Sequence, residues 1–276
     1  MREFNVKIST TKKIKTDIYL LAFKHAYVAN RIKPGQFLHI KIDENQTILR
    51  RPLSVHKVKA GTVYVLFEVR GRGTKLLSTY KRGKILNIIG PLGNGFNLKP
   101  WVKIRNTKHE PQTTASSANI LIGGGIGAAP LFFLAQKLKN ENNTVLIGAP
   151  AKDKIVCVED FKKLGCNVQI ATDNGTKGYK GPVTGLLKKL LPNTNHPSAS
   201  LKGRSPRTAI YACGPKSMFA EIYKIIKPYK NIYCEVSFDQ FMGCGLGFCY
   251  TCVIKTKDGY KKLCKEGPVF RIDQIW

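Results

Sequence analysis

Acidic residues are scarce in this chain: 17 Asp and Glu stand against 46 Lys and Arg in 276 residues, a formal net charge of +29. Such an excess invites comparison with proteins that bind the phosphate backbone, but the other marks of that class are missing. The lysines are scattered, and there is no long basic run and no RNP-like aromatic pattern. The charge is read as a general attraction for anionic cofactors and acidic partners, and no nucleic-acid partner is expected. The first residues, MREFNVKISTTKKIKTDIYLLAF, lack the unbroken apolar core and small-residue cleavage site of a secretory leader. One charge-free stretch, Asn119 to Gln136, contains four glycines and a proline. That composition disfavours a membrane-spanning helix and favours strand, turn and helix in succession. A cytoplasmic protein with no membrane partner is expected. In that reducing compartment its eight cysteines are read as ligands, buried thiols or redox groups rather than disulfides.

No internal repeat is present, and the 43% hydrophobic content is that of an ordinary globular protein. Residues 1–100 carry short or alternating apolar runs (FNVKIS, QFLHIKI, VYVLFEV, ILNIIG) separated by KPGQ, KAGT and PLGNG. This pattern predicts a small antiparallel barrel or sandwich. Residues 101–235 change rhythm: ANILIGG, TVLIGAP, CNVQIATDNG and TAIYACGP read as buried strands ending in glycine turns, and APLFFLAQKLKN and KSMFAEIYKIIK as helices. That is the alternation of an open parallel α/β sheet. Two polar stretches, 102–118 and 193–207, read as insertions. Residues 236–276 form a small third unit that carries the cysteine group. The expected whole is an α+β multidomain chain.

The cysteine group has the spacing C-x4-C-x2-C from Cys244 through Cys249 to Cys252, and Cys264 follows after eleven residues. A close triplet with one distant cysteine is the plant-type [2Fe–2S] pattern. Four thiolates can surround a compact two-iron core, and Gly243, Gly245 and Gly247 let the backbone curl and aim N–H groups at sulfur. A structural zinc site is the main alternative, but such sites pair two C-x2-C knuckles and here only Cys249 and Cys252 make one. A redox C-x2-C is a second alternative, and it leaves Cys244 and Cys264 without a role. Cys157, Cys166 and Cys234 are read as small buried hydrophobes.

Further signals point to nucleotide cofactors. In RPLS, Arg51 suits a pyrophosphate and Ser54 a flavin or phosphate oxygen. PGQF at 34–37, GRGT at 71–74 and GPLGNGF at 90–96 accompany it. GRGT offers backbone N–H groups and a hydroxyl to phosphate. GGGIGAAP at 123–130 joins strand to helix, so Gly123, Gly124, Gly125 and Gly127 would let a dinucleotide approach the backbone, although the spacing is not GxGxxG. Cys213, Gly214 and Pro215, in YACGP, lie at the edge where open α/β sheets bind ligands. No acidic residue for a ribose 2′-hydroxyl stands out, and no polar triad or acid–base pair marks a catalytic residue.

The ordered set RPLS, GRGT, GPLGNGF, GGGIGAAP and CGP resembles the ferredoxin–NADP reductase superfamily, in which an FAD-binding barrel precedes a nucleotide domain. The tail VSFDQFMGCGLGFCYTCVIKTKDGYKKLCKEGPVF narrows the resemblance to the electron-transfer subunits of class 1B dihydroorotate dehydrogenases. The resemblance implies that Arg51, Pro52, Leu53, Ser54, Leu66, Phe67, Glu68, Gly73 and Thr74 hold FAD. It implies that Gly123, Gly124, Gly125, Gly127, Cys213, Gly214 and Pro215 hold NAD, and that Cys244, Cys249, Cys252 and Cys264 hold a [2Fe–2S] cluster. It further implies an FMN-containing catalytic dihydroorotate dehydrogenase subunit as partner in a heterotetramer, with electrons relayed to NAD+ in pyrimidine biosynthesis. Glu68 departs from the family's usual basic or neutral residue, and the terminal Trp276 is not assigned the flavin-stacking role of terminal aromatics in relatives. Two other readings stand beside this one. One is a reductase subunit of an NAD(P)H–ferredoxin, sulfide or hydrogenase complex, many of which carry Asp where this chain has Cys244. The other is a colourless, zinc-stapled basic nucleic-acid module.

Overall fold

The computed structural model describes residues 2–42, 47–100, 118–138, 142–191 and 208–276. Residues 102–117 and 193–207, the bulk of the two polar insertions, lie outside the described residues.

The N-terminal lobe is a seven-stranded antiparallel sheet. Its strands are β1 (Arg2–Lys15), β2 (Ile18–Lys24), β3 (Phe37–Ile40), β4 (Arg51–Ser54), β5 (Lys57–Lys59), β6 (Thr62–Glu68) and β7 (Ile85–Leu92), with α1 (Ala26–Arg31) and α2 (Arg72–Thr79) between them. The spatial order is β4-β3-β7-β1-β2-β6-β5. The two edge strands, β4 and β5, are consecutive in sequence with only Val55 and His56 between them. The two-residue link brings the edges side by side, so the sheet curls into a barrel-like half-closed form whose free edges are short, although no ladder joins β4 to β5 among the described residues. Alternation decides which side chains fill it: Val6 and Ile8 on β1, and Leu86 and Ile88 on β7, point in, while their neighbours face outward. They join Leu21, Phe23, Val63 and Val65 in one core, each burial contributing about 1.5–3 kcal/mol.

The second lobe contains β8 (Ala118–Gly124), α3 (Ala128–Lys137), β9 (Asn142–Ala149), α4 (Val158–Lys163), β10 (Asn167–Thr172), β11 (Tyr179–Lys180), α5 (Val183–Leu190), β12 (Thr208–Gly214), α6 (Lys216–Ile226) and β13 (Ile232–Phe238). The tail adds the hairpin β14 (Val253–Thr256) and β15 (Gly259–Lys262), then β16 (Val269–Arg271). The sheet order is β11-β10-β9-β8-β12-β13-β16, parallel except for β16 against β13. Because helices cover both faces, β8 and β12 are buried along nearly their whole length. Successive side chains feed opposite cores: Ile120, Ile122, Ile210 and Ala212 pack with α5 and α6, while Leu121, Ala209 and Tyr211 pack with α3 and α4. The charge-free stretch from Asn119 is thus strand, turn and helix. Among the described residues no helix is long and apolar enough to cross a membrane.

The strand order reverses between β8 and β12, which makes the carboxyl ends of these two strands a topological switch point. Polar contacts fix the barrel and tail around it. The Tyr211 hydroxyl donates to the Asn97 carbonyl at 2.8 Å, and the Asn97 N–H donates to Glu235 at 2.9 Å. Asn94, in the GPLGNGF segment, donates its N–H to the Gly267 carbonyl at 2.6 Å and its side-chain amide to the Glu266 carbonyl at 2.8 Å.

Candidate functional site

The cysteine loop is organised around sulfur. The N–H groups of Leu246, Phe248 and Cys249 point at Cys244 Sγ at 3.4, 3.4 and 3.5 Å. The Cys244 N–H reaches Cys249 Sγ at 3.3 Å, and the Cys264 N–H reaches Cys252 Sγ at 3.5 Å. This curl needs left-handed backbone at Gly245 (φ 69°), Gly247 (φ 89°) and Tyr250 (φ 58°). The thiols form one linked group: Cys244 acts on Cys249, Cys252 on Cys264, and Cys264 also feels Cys244 and the Gly247 N–H. Among the described residues no three of these sulfurs lie within 4.8 Å of one another. One tetrahedral zinc ion would hold all four about 3.8 Å apart, so this wider spacing matches a two-iron centre better than a single ion. The thiols differ in environment. The Thr251 hydroxyl and neighbouring N–H groups push the exposed Cys249 thiol down to about 6, whereas burial pushes Cys264 up to about 12.

Beneath the loop lies His39 of β3, fully buried, its ring close to the Cys244 and Arg50 backbone but with no hydrogen bond of good geometry. Burial and the Arg50 guanidinium push its pKa down to about 4, so the ring is neutral at pH 7. A Cβ on Gly245 would collide with His39 Nδ1, so the cluster loop rests directly on the barrel. Gly245→Ala would combine this collision with an unfavourable left-handed φ, itself worth about 1–2 kcal/mol. It is expected to lower the iron content of the purified chain to a minor fraction of the wild-type value while leaving FAD content near normal; metal and flavin analysis of the same sample checks both.

The FAD candidates gather at a cleft of about 300 Å³ between the lobes. Arg51, Pro52, Leu53, Ser54, Leu66, Phe67, Glu68 and Thr74 line it. Gly73 stands behind Arg51, and a side chain there would occupy the space of the guanidinium. GRGT opens α2, whose first-turn N–H groups have no helical acceptor and suit phosphate. The Thr74 hydroxyl is already engaged: it accepts from the Arg70 and Gly71 N–H groups at 3.0 and 3.3 Å and donates to the Gly71 carbonyl at 3.1 Å. Its role is to cap the turn.

The nucleotide candidates divide. Gly124, Gly125, Gly214 and Pro215 line a larger cleft of about 830 Å³ at the switch point. Gly127 and Cys213 line the smaller cleft instead, and a Cβ on Gly127 would strike the Cys213 carbonyl. Gly123 lines neither; it lets Ala128 approach, since a Cβ there would sit 2.7 Å from Ala128 Cα. Cys213 is buried, which pushes its thiol up to about 12, so it offers an apolar wall and no thiolate.

Several site residues carry no local sequence signal. Arg70 pairs with Glu68 and with Asp239, both at 2.9 Å, and Lys154 pairs with Glu68 at 3.3 Å and Asp17 at 3.4 Å. Glu68, Arg70, Ile126 and Asp239 line both clefts, so the clefts are contiguous. Phe241 lines the smaller cleft and is 59% exposed. Phe248 and Tyr250, which flank Cys249, are 79% and 65% exposed.

Comparison with known proteins gives a consistent picture. Residues 239–276 match the family described as the iron-sulfur cluster binding domain of dihydroorotate dehydrogenase B. The dihydroorotate dehydrogenase B (NAD(+)) electron transfer subunit of Desulforamulus reducens is 36% identical, the alignment covering 99% of this chain and 97% of that one. Its counterpart from Caldanaerobacter subterraneus subsp. tengcongensis is 31% identical over 99% and 98%. Among solved structures, a chain of an NADH-dependent reduced ferredoxin-NADP oxidoreductase, described for flavin-based electron bifurcation, superimposes with a TM-score of 0.77 at 29% identity, covering 98% of this chain and 89% of that one. A ferredoxin NADP+ reductase from Neisseria gonorrhoeae with bound FAD and NADP shares the fold, with a TM-score of 0.63 at 16% identity over 86% of this chain and all of that one.

Proposed function

We propose, for a chain that belongs to the family of dihydroorotate dehydrogenase B electron transfer subunits, that it takes electrons from a catalytic dihydroorotate dehydrogenase subunit and delivers them to NAD+ in pyrimidine biosynthesis. The observation that carries this reading is contiguity. A four-thiol loop rests on the barrel through Gly245 and His39, and the barrel's cleft opens into the switch-point cleft through shared residues. When bound, flavin exchanges electron pairs as hydride while an iron–sulfur centre passes them singly.

The chain's own groups have distinct roles in this reading. Arg51 and the first turn of α2 hold the FAD pyrophosphate. Gly124 and Gly214 keep the switch point bare so that NAD reaches the cleft, and Gly127 with the buried Cys213 walls it on the flavin side. Cys244, Cys249, Cys252 and Cys264 hold the [2Fe–2S] cluster, with loop N–H groups stabilising the charged sulfurs. The exposed Cys249, with Phe248 and Tyr250 beside it, forms the docking face for an FMN-containing partner, in a cytoplasmic heterotetramer. Lys262 lies over the Tyr250 ring at 4.4 Å, bringing the β14–β15 hairpin to the same face.

The isolated chain is expected to reduce artificial dyes with NADH and not to oxidise dihydroorotate. Adding the FMN subunit should create dihydroorotate–NAD+ activity, and Phe248→Glu should weaken that association at least about tenfold by placing a charge in the interface. Dihydroorotate oxidation by the chain alone would overturn the assignment. The likeness to the ferredoxin-NADP oxidoreductase favours a second reading, a reductase subunit serving ferredoxin. Reconstitution with ferredoxin in place of the FMN subunit separates the two.

A further inference from the structure

We propose that His56, Cys157 and Asp160 form a second metal site that takes a zinc-type divalent cation and clamps the barrel to the nucleotide lobe. One ligand atom from each lies within 4.8 Å of the other two. A tetrahedral zinc site holds such atoms about 3.3–3.8 Å apart, so small side-chain rotations bring the three donors to the ion, with a water in the fourth position. The three residues come from both lobes. His56 is one of the two residues that link the barrel's edge strands, and Cys157 and Asp160 lie at the start of α4.

The chemistry of each donor fits. His56 is 3% exposed, and its Nδ1 lies 2.8 Å from the Ala129 carbonyl. A carbonyl only accepts, so Nδ1 carries the hydrogen and Nε2 carries the lone pair that a metal would take. A ring anchored through its other nitrogen to a carbonyl is the usual second-sphere arrangement of a histidine metal ligand. Stacking on Phe132 at 5.0 Å and 26° fixes the ring plane. Cys157 caps α4 at φ 66°, a left-handed conformation uncommon for a residue with a side chain, and Asp160 lies in the first turn of that helix.

Burial pushes the Cys157 thiol up to about 12, so it is protonated until a cation binds and displaces the proton. Thiolate and carboxylate together neutralise a divalent ion. That balance tolerates Lys57, the cation that acts on both His56 and Cys157 and whose Nζ lies over the Tyr64 ring at 4.9 Å. A mixed nitrogen, sulfur and oxygen set selects zinc over magnesium or calcium, which take oxygen ligands.

The test uses the full chain loaded with flavin and cluster, incubated with zinc chloride, dialysed, and examined by elemental analysis and zinc K-edge absorption. The expected result is one zinc per chain beyond the iron, with one sulfur at about 2.3 Å and the remaining ligands nitrogen or oxygen at about 2.0–2.2 Å. Cys157→Ser and Asp160→Asn should each weaken zinc binding at least tenfold with flavin and iron content unchanged. Zinc should raise the melting temperature of the wild type and not of Cys157→Ser. A zinc shell of four sulfurs would place the ion in the cysteine loop and overturn the proposal. So would the absence of retained zinc, or retention by Cys157→Ser equal to the wild type.

Discussion

Alanine at Cys244 is expected to abolish electron transfer between the catalytic partner and NAD+ while sparing most NADH–dye activity. The Cys244 sulfur receives three backbone N–H groups, from Leu246, Phe248 and Cys249. Removing it deletes one proposed cluster ligand and the acceptor around which the loop is wound. The two clefts proposed for FAD and nucleotide are not lined by residues 244–264, so a dye that draws electrons from flavin directly is expected still to work. Iron and labile sulfide, about two of each per wild-type chain, should fall with the coupled rate, and absorbance and metal analysis on the same preparation check this. An intact coupled rate without cluster would show that the relay order is wrong.

Arg51→Ala is expected to weaken FAD retention about ten- to a hundredfold. A charge-assisted contact to pyrophosphate contributes about 1.5–3 kcal/mol, and 1.4 kcal/mol is about tenfold. The guanidinium is preset without the cofactor: its Nη1 donates to the Leu49 and Arg50 carbonyls, and its other nitrogens lie over Gly73. Gly73→Ala keeps the arginine but pushes its guanidinium aside, so it should reproduce much of the loss. Flavin released on dilution, followed by fluorescence, measures both. Retention by Arg51→Ala equal to the wild type would move the phosphate contact elsewhere.

Glycine turns and strand periodicity were legible because each is a local property of the chain. Period-two burial on β1 and β7, and the glycine-ended strands β8 and β12, follow from side-chain geometry over fewer than ten residues. The cysteine spacing is legible for the same reason: the loop bonds to its own sulfurs within five residues. What the spacing leaves open is how the thiols associate. Folding brings Cys264 back across the β14–β15 hairpin to Cys252 and within reach of Cys244, which gathers the distant thiol into the same group.

Other features depend wholly on distant packing. The GRGT motif shows a hydroxyl at Thr74, and only the fold shows that this hydroxyl also bonds its own turn. Motif reading grouped Cys213 with the nucleotide glycines, yet the side chain lines the flavin-side cleft because β12 ends between the two clefts. Arg70 meets Asp239 across 169 residues, and His39 meets Gly245 across two lobes. No local pattern encodes such pairs, since their partners are chosen by how the barrel and sheet dock. By itself, the sequence determined the order of the sites and the chemistry of their donors, because those lie in contiguous residues. Only the tertiary structure decided which clefts the donors face and which of them touch, because burial and contact are set by the packing of strands far apart in the chain.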